Sequence, residues 1–181
     1  KKHPIKTIKI LCSNKYFILI TLAFAIIYTS LGLTGGSRIY YAKYVLGNEM
    51  INSTMTLFNY IPTILTIMLI PIFAKKFGKI KALFVGFLFY GAGLILEIAG
   101  PVNLPMIYGG LVLQGIGHAA LYSCLFAIVG DVVDYSEWKD GIREEGLTYS
   151  VTSFGQKIGT GLGTAALGWI LAAGHYDGTA A

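Results

Sequence analysis

The stretch MIYGGLVLQGIGHAALYSCLFAIVG, residues 106–130, decides the fold, because its 25 residues include no Asp, Glu, Lys or Arg. About 20 apolar residues in a helix cross the hydrocarbon core of a bilayer, and backbone amides in lipid must bond within their own segment. Four more runs of 17 to 27 residues have the same character: 17–33, 55–74, 82–99 and 147–173. The five runs together contain two charged residues, Glu97 and Lys157. The sequence therefore predicts an all-α membrane protein with five transmembrane helices.

The composition fits a bilayer and excludes several classes of protein. Of the 181 residues, 55% are hydrophobic and 13% are charged, whereas a soluble domain has about 25% charged residues. Such a chain cannot cover a water-facing surface, so we do not expect a soluble enzyme, a disordered chain or a nucleic-acid-binding module. Motifs of hydrolases, metalloproteases and nucleotide-binding enzymes are missing, and Cys12 and Cys124 lack metal or redox spacing. We expect no enzymatic activity, no metal site and no organic cofactor.

The charges of the loops predict the orientation of the chain in the membrane. With the N-terminus inside, the outside loops hold only Arg38 and Lys43 as basic residues. The inside loops hold eleven: Lys1, Lys2, Lys6, Lys9, Lys15, Lys75, Lys76, Lys79, Lys81, Lys139 and Arg143. Cytoplasmic loops carry the excess of Lys and Arg. We therefore predict a multi-pass protein of the cell membrane, with a cytoplasmic N-terminus and, after five spans, a C-terminal end outside.

Two local signals bear on the second run. Asn52, Ser53 and Thr54 precede it and are typical helix-capping residues, although the same three residues also form a glycosylation sequon. Pro62 lies inside the run and lacks a backbone N–H donor, so we expect it to kink the second helix.

The last run separates into three faces when it is drawn as a helix with 100° per residue. One face is a polar stripe: Ser150, Ser153, Lys157, Thr160 and Thr164. A second face carries glycine at four-residue steps: Gly155, Gly159 and Gly163. The third is mainly apolar: Val151, Ile158, Leu162, Ala165 and Trp169. We expect the polar stripe to face a cavity, the glycines to pack closely on another helix, and the apolar face to contact lipid or core.

Lys157 is the candidate functional residue with the strongest physical argument. A lysine at the centre of a transmembrane helix costs ~2.5–3.5 kcal/mol on insertion scales, so it needs water or an acidic partner. Glu97 is the only acidic residue in the other runs and lies near the opposite, outer end. We therefore expect the partner of Lys157 to lie in protein outside this chain. The alternative is a lysine that extends to the membrane interface.

Weaker polar rows occur in three other runs. The second run places Asn59 and Thr63 on one face, together with Thr56 and Thr66. The fourth run has Gln114, His118 and Tyr122 at four-residue steps, and the first has Tyr28 seven residues after Thr21. These groups are candidates to line a hydrophilic cavity and bond sugar hydroxyls. The alternative for each row is hydrogen bonding between helices.

Three segments of the chain are distinctive: GGSRIYYAKYVLG at 35–47, DVVDYSEWKDGIREEGLTYS at 131–150 and SFGQKIGTGLG at 153–163. These segments resemble the glycoside–pentoside–hexuronide:cation symporters, a branch of the major facilitator superfamily. The resemblance covers nearly the whole chain. It implies a fold of twelve helices in two six-helix halves around a central cavity. This chain then corresponds to part of the middle cytoplasmic loop (1–16), helices seven to eleven (17–173) and the start of the last outside loop (174–181).

The resemblance also implies roles for single residues. The family's acidic cation ligands and main sugar-binding residues belong to the first half, which this chain does not include, and the twelfth helix is also outside it. The lysine of the family's eleventh helix maps onto Lys157. By resemblance, Lys157 lies near the cation site and couples the cation to the sugar.

The expected function is sugar:cation symport by alternating access, with Na⁺ or H⁺ as the coupling ion. The expected partners are a sugar or glycoside, the lipid bilayer, and the first half and last helix of the same protein. The segment between the fourth and fifth runs is the candidate cytoplasmic gate, in which acidic side chains surround one arginine: Asp131, Asp134, Glu137, Arg143 and Glu144. Two alternatives are a membrane scaffold that does not transport and a family member that carries another amphiphile, such as a lipid.

Overall fold

The computed structural model describes residues 14–141, 143 and 145–176, and within this part of the chain it contains helices and no strand. This confirms the predicted all-α class. The helices are α1 (Lys15–Tyr40), a π-helical segment (Tyr41–Val45), α2 (Ile51–Ile67), α3 (Ile70–Phe77), α4 (Lys79–Ala99), α5 (Leu104–Asp140) and α6 (Glu145–Ala173).

The chain divides into two compact units, which we describe separately. One unit contains the chain up to Ile39 and from Val129 onwards, so it includes most of α1, the end of α5 and all of α6. The other unit is Tyr40–Ile128 and includes α2, α3, α4 and the first part of α5. Helix α5 contributes residues to both units.

The surface of the helices suits lipid. Large apolar side chains such as Ile26, Leu65, Phe84 and Ile95 are between 62% and 69% exposed. Within the described residues, α1 with its π-helical extension, α4 and α5 are long and apolar enough to cross a membrane, and α2 with α3 is a fourth span if the bent pair counts as one. Helix α6 has 29 residues, but its Ser, Thr, Gln and Lys side chains lower its hydropathy, so the same criterion does not identify the fifth expected span.

Helices α5 and α1 extend well beyond the apolar runs that predicted them. The segment between the fourth and fifth runs, residues 131–146, was expected to be a loop, but α5 continues to Asp140 and α6 begins at Glu145, so only a short turn separates them. Likewise α1 continues from the first run through Gly35 and Gly36 to Tyr40. Apolar runs mark the part of a helix that lies in hydrocarbon, whereas the helical hydrogen bonds continue into polar sequence at either end.

The second span bends by 51° between α2 and α3. The kink was expected at Pro62, but α2 continues through Pro62 and the break lies at Met68 and Leu69. Pro71 explains this position, because it has no N–H group to bond the carbonyl of Ile67 and it sits in the first turn of α3, where proline is favoured.

The capping prediction for α2 was also wrong. The helix begins at Ile51, so Asn52, Ser53 and Thr54 lie inside its first turn. Asn48 has the turn-forming role instead: its side-chain oxygen accepts a hydrogen bond from the Met50 N–H at 2.9 Å, and its carbonyl accepts one from the Ile51 N–H at 3.1 Å.

Helices α4 and α5 pack through glycines in the unit that contains both. A Cβ atom on Gly86 would lie 3.2 Å from the Gly117 carbonyl oxygen, and one on Gly117 would lie 2.6 Å from the Gly86 carbonyl oxygen. Gly93 and Gly110 face each other in the same way. Small residues let the two backbones approach closely, which supplies dispersion contacts where lipid offers no hydrophobic gain.

Candidate functional site

The glycine face of α6 packs on α1. A Cβ atom on Gly155 would lie 3.1 Å from the Thr21 carbonyl oxygen, and Cβ atoms on Gly159 and Gly163 would overlap the carbonyl oxygens of Ala25 and Thr29. The partners advance by four residues in the same direction on both helices, so α1 and α6 run parallel here. The predicted close contact of this face is confirmed, and its partner lies within the chain.

Tyr28 lies beside this contact. Its Cβ atom would be 3.0 Å from a Cβ on Gly159, and its ring stacks on Phe24 with centroids 6.1 Å apart. The side chain is half-buried. Tyr28 therefore contributes to the packing of α1 on α6, and part of its surface stays accessible.

The polar stripe of α6 points away from the glycine face. Ser153, Thr160 and Thr164 are exposed, and so are most residues of the apolar face, including Ile158 and Leu162. Each of the three hydroxyls donates to a carbonyl one turn earlier in its own helix, at 2.8 to 3.0 Å. Such local bonds satisfy the hydroxyl hydrogen and leave the oxygen able to accept another bond.

Lys157 differs from the hydroxyl residues around it. It is the thirteenth of the 29 residues of α6, and its side chain is exposed. An ammonium group has three donors and no acceptor. Among the residues that the structure describes, none forms an ion pair with Lys157.

The polar row of α2 is buried against α5 in the other unit. Asn59 is 2% exposed and donates from Nδ2 to the Leu111 carbonyl at 3.1 Å. Thr63 donates to the Gly115 carbonyl at 3.0 Å and to the Asn59 carbonyl at 2.8 Å. Gly115 makes room for this contact, because a Cβ there would lie 3.2 Å from Thr63 Oγ1. Asn59 and Thr63 thus form hydrogen bonds between helices, which was the alternative to a cavity lining for this row.

The polar row of α5 faces α4. Gln114 is buried against Gly93, and His118 is buried with its ring 5.0 Å from that of Tyr90 and 5.7 Å from that of Tyr122. Gln114 therefore contacts α4, whereas the neighbouring Gly115 contacts α2. Gln114, His118 and Tyr122 therefore form one row on the side of α5 that faces α4. The row of Asn59 and Thr63 lies on a different side of α5, at the contact with α2.

An ionic cluster joins the ends of α5 and α6. Arg143 Nη1 lies 3.2 Å from Asp134 Oδ1 and 2.6 Å from Glu137 Oε2, and Nη2 lies 2.5 Å from Glu145 Oε1. Gly141 has a φ of +62°, a conformation that L-residues rarely adopt, and it turns the chain so that Arg143 reaches back to α5.

The electrostatics of this cluster follow from its geometry. Hydrogen bonds to Glu137 and Glu145 raise the pKa of the Arg143 guanidinium above its ordinary value. Asp131 lies one turn before Asp134 on α5, and Glu144 lies outside the described residues. The predicted contact between Arg143 and acidic groups is present in this exposed turn.

Sequence reasoning missed Tyr90 and Glu145. Tyr90 stands in an apolar run with no polar neighbour at helical spacing, so only the packing of α4 on α5 shows that it meets His118. Glu145 is not among the gate candidates of the sequence, yet it is the first residue of α6 and a partner of Arg143. Acidic residues in the first turn of a helix are a known signal that points to Glu145.

Comparisons with known proteins give a consistent result. The protein family described as MFS/sugar transport protein matches residues 2–181. The isoprimeverose transporter of Lactiplantibacillus pentosus is 30% identical over 179 residues, which are 97% of this chain and 37% of the relative. The glucuronide carrier protein homolog of Escherichia coli K12 is 30% identical over 142 residues, 77% of this chain and 31% of the relative.

A third relative is the putative sulfoquinovose importer of Salmonella typhimurium LT2, which is 35% identical over 133 residues, 69% of this chain and 26% of the relative. The chain thus spans about a third of the length of these relatives. No solved structure gives a significant match.

Proposed function

Because this chain belongs to the MFS/sugar transport protein family, we propose that it is part of a secondary active transporter that moves a glycoside or related sugar together with Na⁺ or H⁺. Relatives named as an isoprimeverose transporter and a glucuronide carrier protein homolog support a sugar-type substrate. On this proposal the described helices are helices seven to eleven of twelve, and they act with the first half and the last helix of the same protein.

The observation that carries the proposal is the position of Lys157. It lies near the middle of a 29-residue helix whose glycine face is already packed on α1. A charge at that depth is costly unless water or an opposite charge meets it, and no described residue forms an ion pair with it. We assign its partner to a carboxylate in the first half of the transporter.

The proposed role of Lys157 is coupling. When the cation site is empty, Lys157 pairs with that carboxylate, and when the cation binds, the carboxylate turns to the cation. Through this carboxylate, binding of the cation changes the affinity for the sugar, and binding of the sugar changes the affinity for the cation by the same factor. Ser153, Thr160 and Thr164 lie on the same face, and their oxygen atoms are available to accept bonds from a sugar hydroxyl or a water molecule in the transport pathway.

The proposed substrate pathway includes further side chains with unequal support. Tyr28 is accessible beside the α1–α6 contact. Gln114, His118 and Tyr122 form an aromatic and amide row, and such groups stack on and bond to sugars. Asn59 and Thr63 have weaker support because both are buried in the α2–α5 contact. The same holds for Gln114 and His118, which are buried against α4.

The proposed gate is the Arg143 cluster with its acidic partners on α5 and α6. Alternating access requires contacts that form and break as the two halves rock, and exposed ion pairs exchange partners at low cost. The positive-inside distribution of lysines supports a cytoplasmic position for this turn and an outside position for the end of α6.

The test is sugar uptake by membrane vesicles that contain the full-length Lys157→Ala protein, with and without a cation gradient. We expect gradient-driven accumulation of the sugar to fall at least tenfold. The variant leaves the proposed first-half carboxylate without its partner, and a buried charge that loses its partner costs ~3–5 kcal/mol. Ile158→Ala, on the neighbouring apolar face, is the matched control and should accumulate sugar normally. If Lys157→Ala accumulates sugar at the parent level, then Lys157 is a structural residue and the proposal is wrong.

A further inference from the structure

A cavity of about 200 Å³ lies where α2 breaks into α3, on the side that faces α4 and α5. Its lining includes Phe73, Val85, Phe89, Ile116 and Ala120. Among the described residues that line it, Thr66 alone has a polar side chain. An apolar cavity of about 150 Å³ is known to stay dry and bind an apolar ligand, so this one has room for a hydrocarbon group.

Lysines lie at one end of this cavity. Lys76 is three residues after Phe73 on α3, and Lys81 is four residues before Val85 on α4. Residues three or four apart share a helix face, so each lysine lies one turn beyond a lining residue, on the same face. Both side chains are exposed, and neither forms an ion pair with a described residue.

Three of the four helices that line the cavity carry no carboxylate near the two lysines. Residues 50–96 contain no Asp or Glu, which leaves α2, α3 and most of α4 without a carboxylate. Lys79 is engaged differently, since its Nζ donates to the Ala127 carbonyl at 3.2 Å. Lys76, whose Nζ lies 5.3 Å from the centroid of the Phe77 ring, and Lys81 therefore carry two ammonium groups one turn beyond residues that line an apolar cavity.

We propose that this cavity holds an acyl chain of an anionic phospholipid, whose phosphate is held by Lys76 and Lys81. Met68 and Leu69 at the break are 69% and 61% exposed, so an acyl chain can reach the cavity there, and the lysine end would meet the headgroup layer. Basic clusters between helices at the cytoplasmic side attract anionic headgroups. A helix from the rest of the protein is the competing occupant, and it would fill the cavity without a preference for anionic lipid.

The experiment is native mass spectrometry of the full-length protein, titrated in detergent with phosphatidylglycerol or with phosphatidylcholine. The parent should retain phosphatidylglycerol in preference to phosphatidylcholine. The Lys76→Gln/Lys81→Gln variant should bind phosphatidylglycerol at least about tenfold more weakly, and Lys76→Arg/Lys81→Arg should keep the affinity. The matched control is Lys43→Gln/Lys75→Gln, which removes the same charge from positions off the cavity face and should bind like the parent.

A second variant tests the cavity separately from the charge. Val85→Phe fills the cavity while both lysines remain, so it should also lower the retention of phosphatidylglycerol. The proposal is overturned if the parent retains the two lipids equally, if the Lys76→Gln/Lys81→Gln variant binds like the parent, or if no lipid is retained because another helix covers the cavity. If Val85→Phe does not fold, the comparison of Lys76→Gln/Lys81→Gln with Lys76→Arg/Lys81→Arg still decides whether the lysines hold the lipid.

Discussion

Two pairs of parallel helices bring their backbones together in different ways. Helix α2 meets α5 through buried polar side chains, since Asn59 and Thr63 donate to the carbonyls of Leu111 and Gly115. Helix α6 meets α1 through glycine, and no side-chain hydrogen bond is needed at Gly159 or Gly163. In the α2–α5 contact the polar row itself packs against the neighbouring helix. In the α1–α6 contact the polar row of α6 lies on a face that takes no part in the packing.

This difference teaches how to interpret a polar stripe in an apolar helix. A row of Ser, Thr and Asn indicates a cavity only when another face of the same helix does the packing. Helix α6 meets that condition because its glycine face is occupied by α1. Helix α2 does not, because its polar row is itself the contact face. A partner outside the chain could therefore bind Lys157 without disturbing the contact between α1 and α6.

The largest expected effect comes from the glycine contact. Gly159→Leu would place a side chain against the Ala25 carbonyl, and a backbone atom cannot move aside as a flexible side chain can. We expect a loss of at least ~3 kcal/mol of stability, the upper part of the range for overpacked sites, or no folded protein at all. The measurement is the thermal unfolding of the full-length protein in detergent.

Gly161→Leu is the matched control for this prediction. Gly161 is exposed, and a Cβ atom there would meet nothing within 4 Å. The same substitution two residues further along α6 should leave the unfolding temperature close to that of the parent. Equal unfolding temperatures for the two variants would show that glycine packing does not hold α1 on α6.

Much of this contact was predictable, because the four-residue spacing of Gly155, Gly159 and Gly163 is a local signal that survives in any helix. The partner was harder to predict, since the matching signal of α1 is short: Gly32 lies against Thr160 and Gly163, and Gly36, one turn later, lies against Leu167. The break at Met68 was misplaced to Pro62 because the effect of a proline depends on whether neighbouring helices satisfy the freed carbonyl. Sequence alone does not contain that information.

A smaller effect is expected where a hydroxyl joins two helices. Thr63→Val keeps the shape of the side chain but removes the hydrogen bond to Gly115, so we expect a loss of about 1 kcal/mol. Thr160→Val removes only a bond to the Gln156 carbonyl of its own helix, and an exposed change of this kind stays within ~0.5 kcal/mol. Chemical unfolding of both variants in detergent measures the difference. If Thr160→Val is the more destabilising, the two polar rows have been assigned to the wrong roles.

The candidate site was predictable to different extents for similar reasons. Lys157 stands out because a charge in an apolar run needs an explanation wherever its partner lies. The roles of Asn59 and Gln114 depend on which neighbour each side chain meets, and their spacing is the same for a cavity as for a helix contact. The acidic partners of Arg143 became a defined set only when α5 was seen to continue to Asp140 and Gly141 to turn the chain.

The smallest effect on stability is expected at Arg143, and it tests whether charged contacts outside the membrane serve motion instead of packing. Arg143→Gln removes three ion pairs, all of them between exposed side chains, and exposed pairs contribute little to stability because water and salt screen them. The unfolding temperature should therefore change less than in Thr63→Val. Transport should respond more, because the carboxylates of Asp134, Glu137 and Glu145 would repel one another without the guanidinium and favour separation of the α5 and α6 ends. If the protein works by the proposed alternating access, the labelling rate of an engineered cysteine on the outside of the full-length protein measures the resulting shift between inward and outward states. A parent-like labelling rate together with parent-like uptake kinetics would mean that the cluster only keeps the turn soluble.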